Sequence, residues 1–233
     1  MDTMNFLPRC DSMKILGIDE AGRGPLIGPM IIAGVLVNND KEIRKMGVKD
    51  SKALTRKKRQ EIFDKLTNSV EYSVERVSAQ EIDMLMSSGT NLNQIEAIHM
   101  AKIINKTKPD KVIIDAVSGK KKFFNFMKKF LKHNSEIILE HKADVNFPVV
   151  SAASIIAKQI RDSELDKIGK KFGIELGVGY THDERSIKSV RDNLKNDEFL
   201  KHVTKSWITF SRIKKEKEQK GLMGYFEQDN RNS

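Results

Sequence analysis

The chain has 233 residues, 42 Lys and Arg against 32 Asp and Glu, and a formal net charge of +10, with a sequence pI near 9.5. One core with an appendage, or two small domains, is what this length supports, and the charge favours a phosphate-rich partner. A single cysteine, Cys10, excludes disulfides within the chain and cysteine metal clusters, while an acidic start without an apolar run and the absence of a stretch long enough for a membrane helix point to a cytoplasmic protein with no membrane partner.

The first twelve residues read as an extension, and ordered pattern begins at Lys14. A strand over 14–19 ends in two adjacent acids, Asp19 and Glu20, and runs into a glycine-rich turn, Gly22-Arg23-Gly24-Pro25. A second apolar strand, 29–37, follows at hairpin distance. Carboxylates at the carboxyl end of a core strand lie where open α/β sheets place ligands. They can hold a divalent cation, or can simply be an acidic turn leaving the sheet. Neither the dinucleotide fingerprint nor the P-loop fits, since Ile27 stands where the third glycine belongs and no P-loop string occurs. Two acids before the turn would repel a phosphate unless a cation stood between them.

Next come a helix from Thr55 to Leu66, an alternating strand from Val70 to Val77, and a helix opened by a Ser78/Glu81 capping box. A longer helix covers 92–105. A strand ending in Asp115 then repeats the opening theme, and a right-handed crossover puts Asp19 and Asp115 on one rim of the sheet. A strand over 137–140, a loop bearing Asp144 and a helix from Pro148 toward Lys171 complete this part. Asp19, Glu20, Asp115 and Asp144 suffice to hold two hard cations through oxygen ligands, the arrangement that clamps a phosphodiester during in-line displacement. His99, His133, His141, His182 and His202 read as surface or packing residues. Basic clusters at 55–59, 119–132 and through the tail read as solvated helix faces or as surfaces for a polyanion. From Asp183 to Lys220 the pattern is helical, with Ile187, Val190 and Leu194 on one stripe and Trp207 as a packing residue.

Five blocks in order carry a resemblance to the type 2 ribonucleases H, the ribonuclease HII family in its single-chain archaeal and bacterial form. They are "GIDEAGRGPLIGP", "VKDSKALT" (48–55), "IIDAVSG", "HKADVNFPVVSAASIIAKQIRD" and "GVGYTHD" (177–183), spanning about Lys14 to Leu200. The resemblance implies an α/β ribonuclease H-like mixed sheet flanked by helices, with a catalytic domain over 13–182, a C-terminal helical region over 183–220 and a tail over 221–233. It implies Mg²⁺- or Mn²⁺-dependent hydrolysis of RNA in RNA–DNA hybrids and of ribonucleotides in duplex DNA. It also implies a cut 5′ of the ribonucleotide that leaves 3′-hydroxyl and 5′-phosphate ends; a monomer is expected. By matching motif, Asp19, Glu20, Asp115 and Asp144 are the catalytic, metal-holding carboxylates. Gly22, Arg23 and Gly24 form the turn that detects the 2′-hydroxyl, and Tyr180 packs on the sugar beyond the junction. Lys52 resembles the family's phosphate-contacting lysine, and Ser151, Ser154, Lys158 and Arg161 share a helix face that reads as a phosphate track. Asp162 reads as a structural partner for a nearby Arg or Lys. After Tyr180 the chain departs from the family pattern with "THDERS", which leaves His182 as a substitute contact or a surface residue. "QKGLMGYF" resembles a sliding-clamp motif, with Gln219, Leu222, Tyr225 and Phe226 in its places.

Overall fold

The computed structural model describes residues 13–48, 54–115 and 119–229, and from 220 onward only the backbone. In chain order its elements are β1 (Ile15–Ala21), β2 (Met30–Val37), α1 (Lys41–Lys45), α2 (Arg56–Ser69), β3 (Glu71–Val77), α3 (Ala79–Ser87), α4 (Leu92–Thr107), β4 (Lys111–Asp115), α5 (Lys120–Met127) with a 3₁₀ turn Lys128–Phe130, β5 (Glu136–Glu140), α6 (Ala143–Asn146), α7 (Pro148–Phe172), α8 (Glu184–Asp192), α9 (Asp197–Leu200) and α10 (Ile208–Asp229). The strands form one mixed sheet in the order β3-β2-β1-β4-β5. β1, β2 and β3 pair as antiparallel neighbours, whereas β4 and β5 run parallel to β1.

The sheet carries a separate apolar layer on each face. One joins Ala21, Ile31 and Ile113 to α7 and α2. The other joins Leu16, Ile18 and Ile32 to α4. Alternation of side chains along a strand sends odd and even residues of β1 to opposite layers. Gly17 is where α7 crosses β1: a Cβ built there would stand 2.5 Å from the Val149 carbonyl carbon. That backbone-to-backbone approach seats α7 directly on β1.

Local caps explain several boundaries. Thr55 accepts from the Lys58 amide at 3.2 Å to open α2, which runs three residues beyond the expected Leu66. Ser78 accepts from the Glu81 amide at 3.1 Å to open α3. The expected return bond from Glu81 is not made, because its carboxylate lies 3.4 Å from Nε2 of the buried His99. The reciprocal capping box belongs to α4, between Asn91 and Gln94. The loop expected around Asp144 is a single helical turn, α6, begun by Lys142 in the left-handed region (φ 57°). On β3 the alternation is reversed from expectation at its start: Tyr72 is exposed and Ser73 buried, as an edge strand allows.

The C-terminal helices share a third apolar cluster with Leu26, Ile27, Leu165 and Ile168; Ile187, Val190, Phe199, Leu200 and Val203 complete it. Among the described residues no helix is long and apolar enough to cross a membrane.

Candidate active site

The register of the parallel pair sets the site. Ile18 lies opposite Ile114, so Asp19 and Asp115 follow side by side, both on the α7 face. Asp144 on α6 completes a group in which one carboxylate oxygen from each residue lies within 4.8 Å of the others. Asp19 and Asp144 are buried, at 6% and 2% exposure. The Ala143 amide donates to Asp115 Oδ1 at 3.0 Å, tying α6 to the end of β4. Burial, reinforced by the charge of Asp115, pushes the Asp19 carboxyl up to about 7, against a hydrogen bond from Ser154, a bond from the Glu20 amide and the Lys158 ammonium. Three converging carboxylates, two of them buried, are a donor set for hard divalent cations, which take oxygen ligands. The residues fit such ions on this ground.

Glu20 is not in this group. As the next residue along β1 it faces α4, where its half-buried side chain lies 3.8 Å from Arg23 and close to Glu96. Its proton affinity rises well above the usual carboxylate range, first from burial and then from the charges of Asp19 and Glu96, with Arg23 opposing. Glu96 on α4 is 1% exposed and pairs with the Arg23 guanidinium, while the second arm of that guanidinium reaches Asn93 Oδ1. Burial pushes Glu96 up to about 7 even with Arg23 drawing it down.

Arg23 belongs to the glycine turn. Gly22 (φ 80°) and Gly24 (φ 66°) occupy backbone regions that side chains rarely adopt, and a Cβ on Gly22 would stand 2.6 Å from the Pro29 carbonyl oxygen. The following segment, 25–28, is held on two sides. Leu26 and Ile27 amides donate to the Gly179 carbonyl at 2.8 and 3.0 Å, and Gly28 donates to the His202 carbonyl at 2.9 Å. Pro25 bridges to Tyr180, and the Trp207 indole donates to the Pro25 carbonyl at 2.8 Å. The glycine turn and Tyr180, far apart in the chain, therefore meet at one edge of the site.

Arg161, on α7, is the pillar between them. It is 4% exposed, its guanidinium carbon lies 4.5 Å from the centre of the Tyr180 ring, and it donates to the Val178 carbonyl at 2.6 Å. Its stem also stands 3.3 Å from where a Cβ on Gly22 would sit. Of the expected phosphate track, Ser151 and Ser154 are likewise buried and Lys158 is half-buried, so this face of α7 meets the sheet rim. Ser154 and Lys158 address Asp19 there. Asp162 pairs with Arg59, the structural partnership expected of it. His182 is exposed and stacks on Tyr180, with ring centres 5.7 Å apart. Lys52 lies outside the described residues. Gln219 sits on α10; the side chains of Leu222, Tyr225 and Phe226 lie outside the described set.

Sequence reasoning missed Glu96 and understated Arg161. Glu96 had a signal: it falls four residues after Leu92 and four before Met100, an acid on the buried stripe of a helix. Arg161 had none, because the loop that covers it arrives from residues 177–180.

A mixed sheet flanked by helices, bearing three acids at the ends of its central strands and beside them, defines a nuclease hydrolase of the ribonuclease H-like class. Residues 16–210 match the family model for ribonuclease HII. The ribonuclease HII of Methanobrevibacter smithii is 44% identical over 208 residues, covering 87% of this chain and 99% of its own. The crystal structure of ribonuclease H2 from Pyrococcus horikoshii OT3 superposes with a TM-score of 0.79 at 38% identity, covering 88% of this chain and 99% of that one. The RNase HII in a complex with PCNA from Archaeoglobus fulgidus gives 0.76 at 32% identity, over 84% and 95%. The chain belongs to the ribonuclease HII family, endoribonucleases of RNA–DNA hybrids.

Proposed function

We propose that the protein cuts the strand 5′ of a ribonucleotide, both in RNA–DNA hybrids and where single ribonucleotides are embedded in duplex DNA, leaving 3′-hydroxyl and 5′-phosphate ends. The observation that supports this most is the convergence of Asp19, Asp115 and Asp144 within 4.8 Å, beside a turn that Gly22 and Gly24 hold in positive-φ backbone. In the hydrolysis a water oxygen bonds to phosphorus and gives up a proton, the bond from phosphorus to the 3′-oxygen breaks, and that oxygen takes up a proton. Mg²⁺ or Mn²⁺ held by these acids would supply charge neutralisation for the attacking and departing oxygens.

The chain's own residues do the rest. Ser154 and the Glu20 amide hold the Asp19 carboxylate in place. Lys158 offsets the negative charge gathered at the rim. Glu20 contributes from the α4 side of β1, the fourth acid that the family resemblance assigns. Gly22 and Gly24 present backbone groups to a 2′-hydroxyl without a Cβ in the way, with Arg23 tied back to α4. Tyr180, fixed over Arg161, offers an aromatic face to the neighbouring sugar. Lys52 is assigned to a phosphate on the strength of its motif, and Gln219, Leu222, Tyr225 and Phe226 to a sliding clamp, in keeping with the PCNA complex of the Archaeoglobus relative.

Incubation of a DNA duplex carrying one ribonucleotide with the protein, with and without Mg²⁺ or Mn²⁺, tests this reading beside an all-DNA duplex and the Asp19→Asn variant. Metal-dependent cutting on the 5′ side of the ribonucleotide, lost in the variant, is the expected result. Equal cutting of all-DNA duplex overturns the ribonucleotide specificity, and binding without cutting under either metal overturns the catalytic assignment.

A further inference from the structure

The basic run 119–132 has no part in the site described above. In the fold it becomes α5 and the following 3₁₀ turn. Phe123, Phe124 and Phe126 are half-buried toward the α4 layer, and Lys121, Lys122, Lys128, Lys129 and Lys132 remain exposed. Among the described residues none of these five is in an ion pair. Between this element and the first turn of α4 lies a cleft of about 430 Å³, walled by Asn91, Asn93, Gln94, Lys122, Phe126 and Lys129, with Asn125 at its side.

The polar groups of that cleft are sorted by sign. Asn91 Oδ1 accepts from the Gln94 amide at 3.1 Å, and Gln94 Oε1 accepts from the Asn91 amide at 2.8 Å. Asn93 Oδ1 accepts from Arg23. These three side-chain oxygens each already accept a bond within the protein, and Lys122 and Lys129 bring two ammonium groups to the same lining. Asn125 can turn either end of its amide inward. Among the described residues no carboxylate lines the cleft. A cavity so rich in donors and positive charge selects an anion, and the half-buried Phe126, with the Lys129 ammonium 5.7 Å from its ring centre, adds an apolar wall.

Its position names the anion. Asn93 is joined through Arg23 to the glycine turn, and Gly119, also on the cleft, follows Asp115 by four residues, a reach of at most about 14 Å. The cleft is thus adjacent to both halves of the candidate active site. α5 and its 3₁₀ turn together span about 18 Å, the length of about five base pairs at about 3.4 Å each.

We propose that this cleft and the lysine row beside it bind the phosphodiester backbone of the substrate duplex on one side of the cutting site. This deepens the proposed function and rests on it. Lys122 and Lys129 act on binding and take no part in the chemical step.

The test uses the full chain and a Lys122→Ala/Lys129→Ala variant, both positions being exposed on the surface. The substrates are ribonucleotide-containing duplexes trimmed stepwise from either end. The variant is expected to raise KM about tenfold on long duplexes with kcat unchanged, and to make the dependence of log affinity on log salt shallower by about 2. Trimming one end, and only that end, should raise the wild-type KM until the two proteins coincide. Equal KM and equal salt slopes at every length overturn the proposal, as does an advantage of wild type that survives trimming at both ends. Metal-free fluorescence anisotropy on the same duplexes reads the cleft independently of cutting. A wild type that binds without cutting sinks the nuclease reading, while the variant's affinity still decides whether the cleft holds the backbone.

Discussion

Two adjacent residues of β1, Asp19 and Glu20, enter two different electrostatic surroundings. On the α7 face, Asp19 meets Asp115 and Asp144, and Lys158 is the cation that acts on it. On the α4 face, Glu20 meets Glu96, and both lie against Arg23. The first face gathers three carboxylates whose oxygens converge within 4.8 Å, a donor set that suits a hard divalent cation. The second already holds its cation in the form of a guanidinium, so it is organised to fix the glycine turn. A one-residue step along a strand thus carries two adjacent carboxylates into opposite surroundings.

The sharpest way to break the comparison is on the α7 face. Asp19→Asn and Asp144→Asn are each expected to lower kcat by more than about 10³-fold, the scale of several kcal/mol of lost transition-state stabilisation, with the circular dichroism spectrum unchanged. Single-turnover cleavage measures this loss. Breaking the other face should cost less and differ in kind. Glu96→Ala removes the buried partner of Arg23, destabilises the fold by about 1–3 kcal/mol in denaturant unfolding, and weakens the preference for ribonucleotide over all-DNA duplex. Glu96→Gln keeps an acceptor for Arg23 and should retain most of that preference; if both variants cut like wild type, the α4 face has no role in recognition.

Arg161 joins the turn to Tyr180. Arg161→Lys keeps the charge but loses the planar fork that reaches Val178 while lying against Tyr180. The expected cost is about 1–2 kcal/mol of stability, with a rise in KM for single-ribonucleotide substrates. An unchanged KM in Arg161→Lys would mean that Tyr180 is placed without it.

The smallest effect is one of pH. Burial raises the Asp19 carboxyl from 3.8 in an unfolded chain to about 7 in the fold. Between these values the folded state binds more protons than the unfolded state, so the metal-free protein loses stability as pH rises from about 4 to about 7. Glu96, also raised to about 7, adds to the same slope. Thermal melting in chelator across this window should show the decline. Asp19→Asn should flatten it in part, and saturating Mg²⁺ at about pH 8 should raise the melting temperature of wild type more than that of the variant.

Much of this was legible in the sequence. The apolar runs ending in Asp19 and Asp115 pointed to the parallel pair and the common rim, because strand length, an acid and a glycine stop are local signals. The separation of Glu20 was legible too, since Ile15, Gly17, Asp19 and Ala21 share one parity and Leu16, Ile18 and Glu20 the other. Reading the four acids as one set overlooked it. The helical turn that lifts Asp144 into the site depends on Lys142 adopting a left-handed backbone, which no side-chain pattern announces. The burial of Ser151, Ser154 and Arg161 depends on what α7 meets across space, and helical spacing alone showed only their common face.

The threading of residues 25–28 between the Gly179–Tyr180 loop and residues 202–204 sets an order of events during synthesis. The acids of β1 and the glycine turn leave the ribosome well before Trp207, which fastens Pro25 from 182 residues further along the chain. Contacts of such long sequence separation close late. A chain that has not yet been made as far as residue 207 can thus display the acids without a fastened turn, and the turn takes its final place only once Trp207 can reach Pro25.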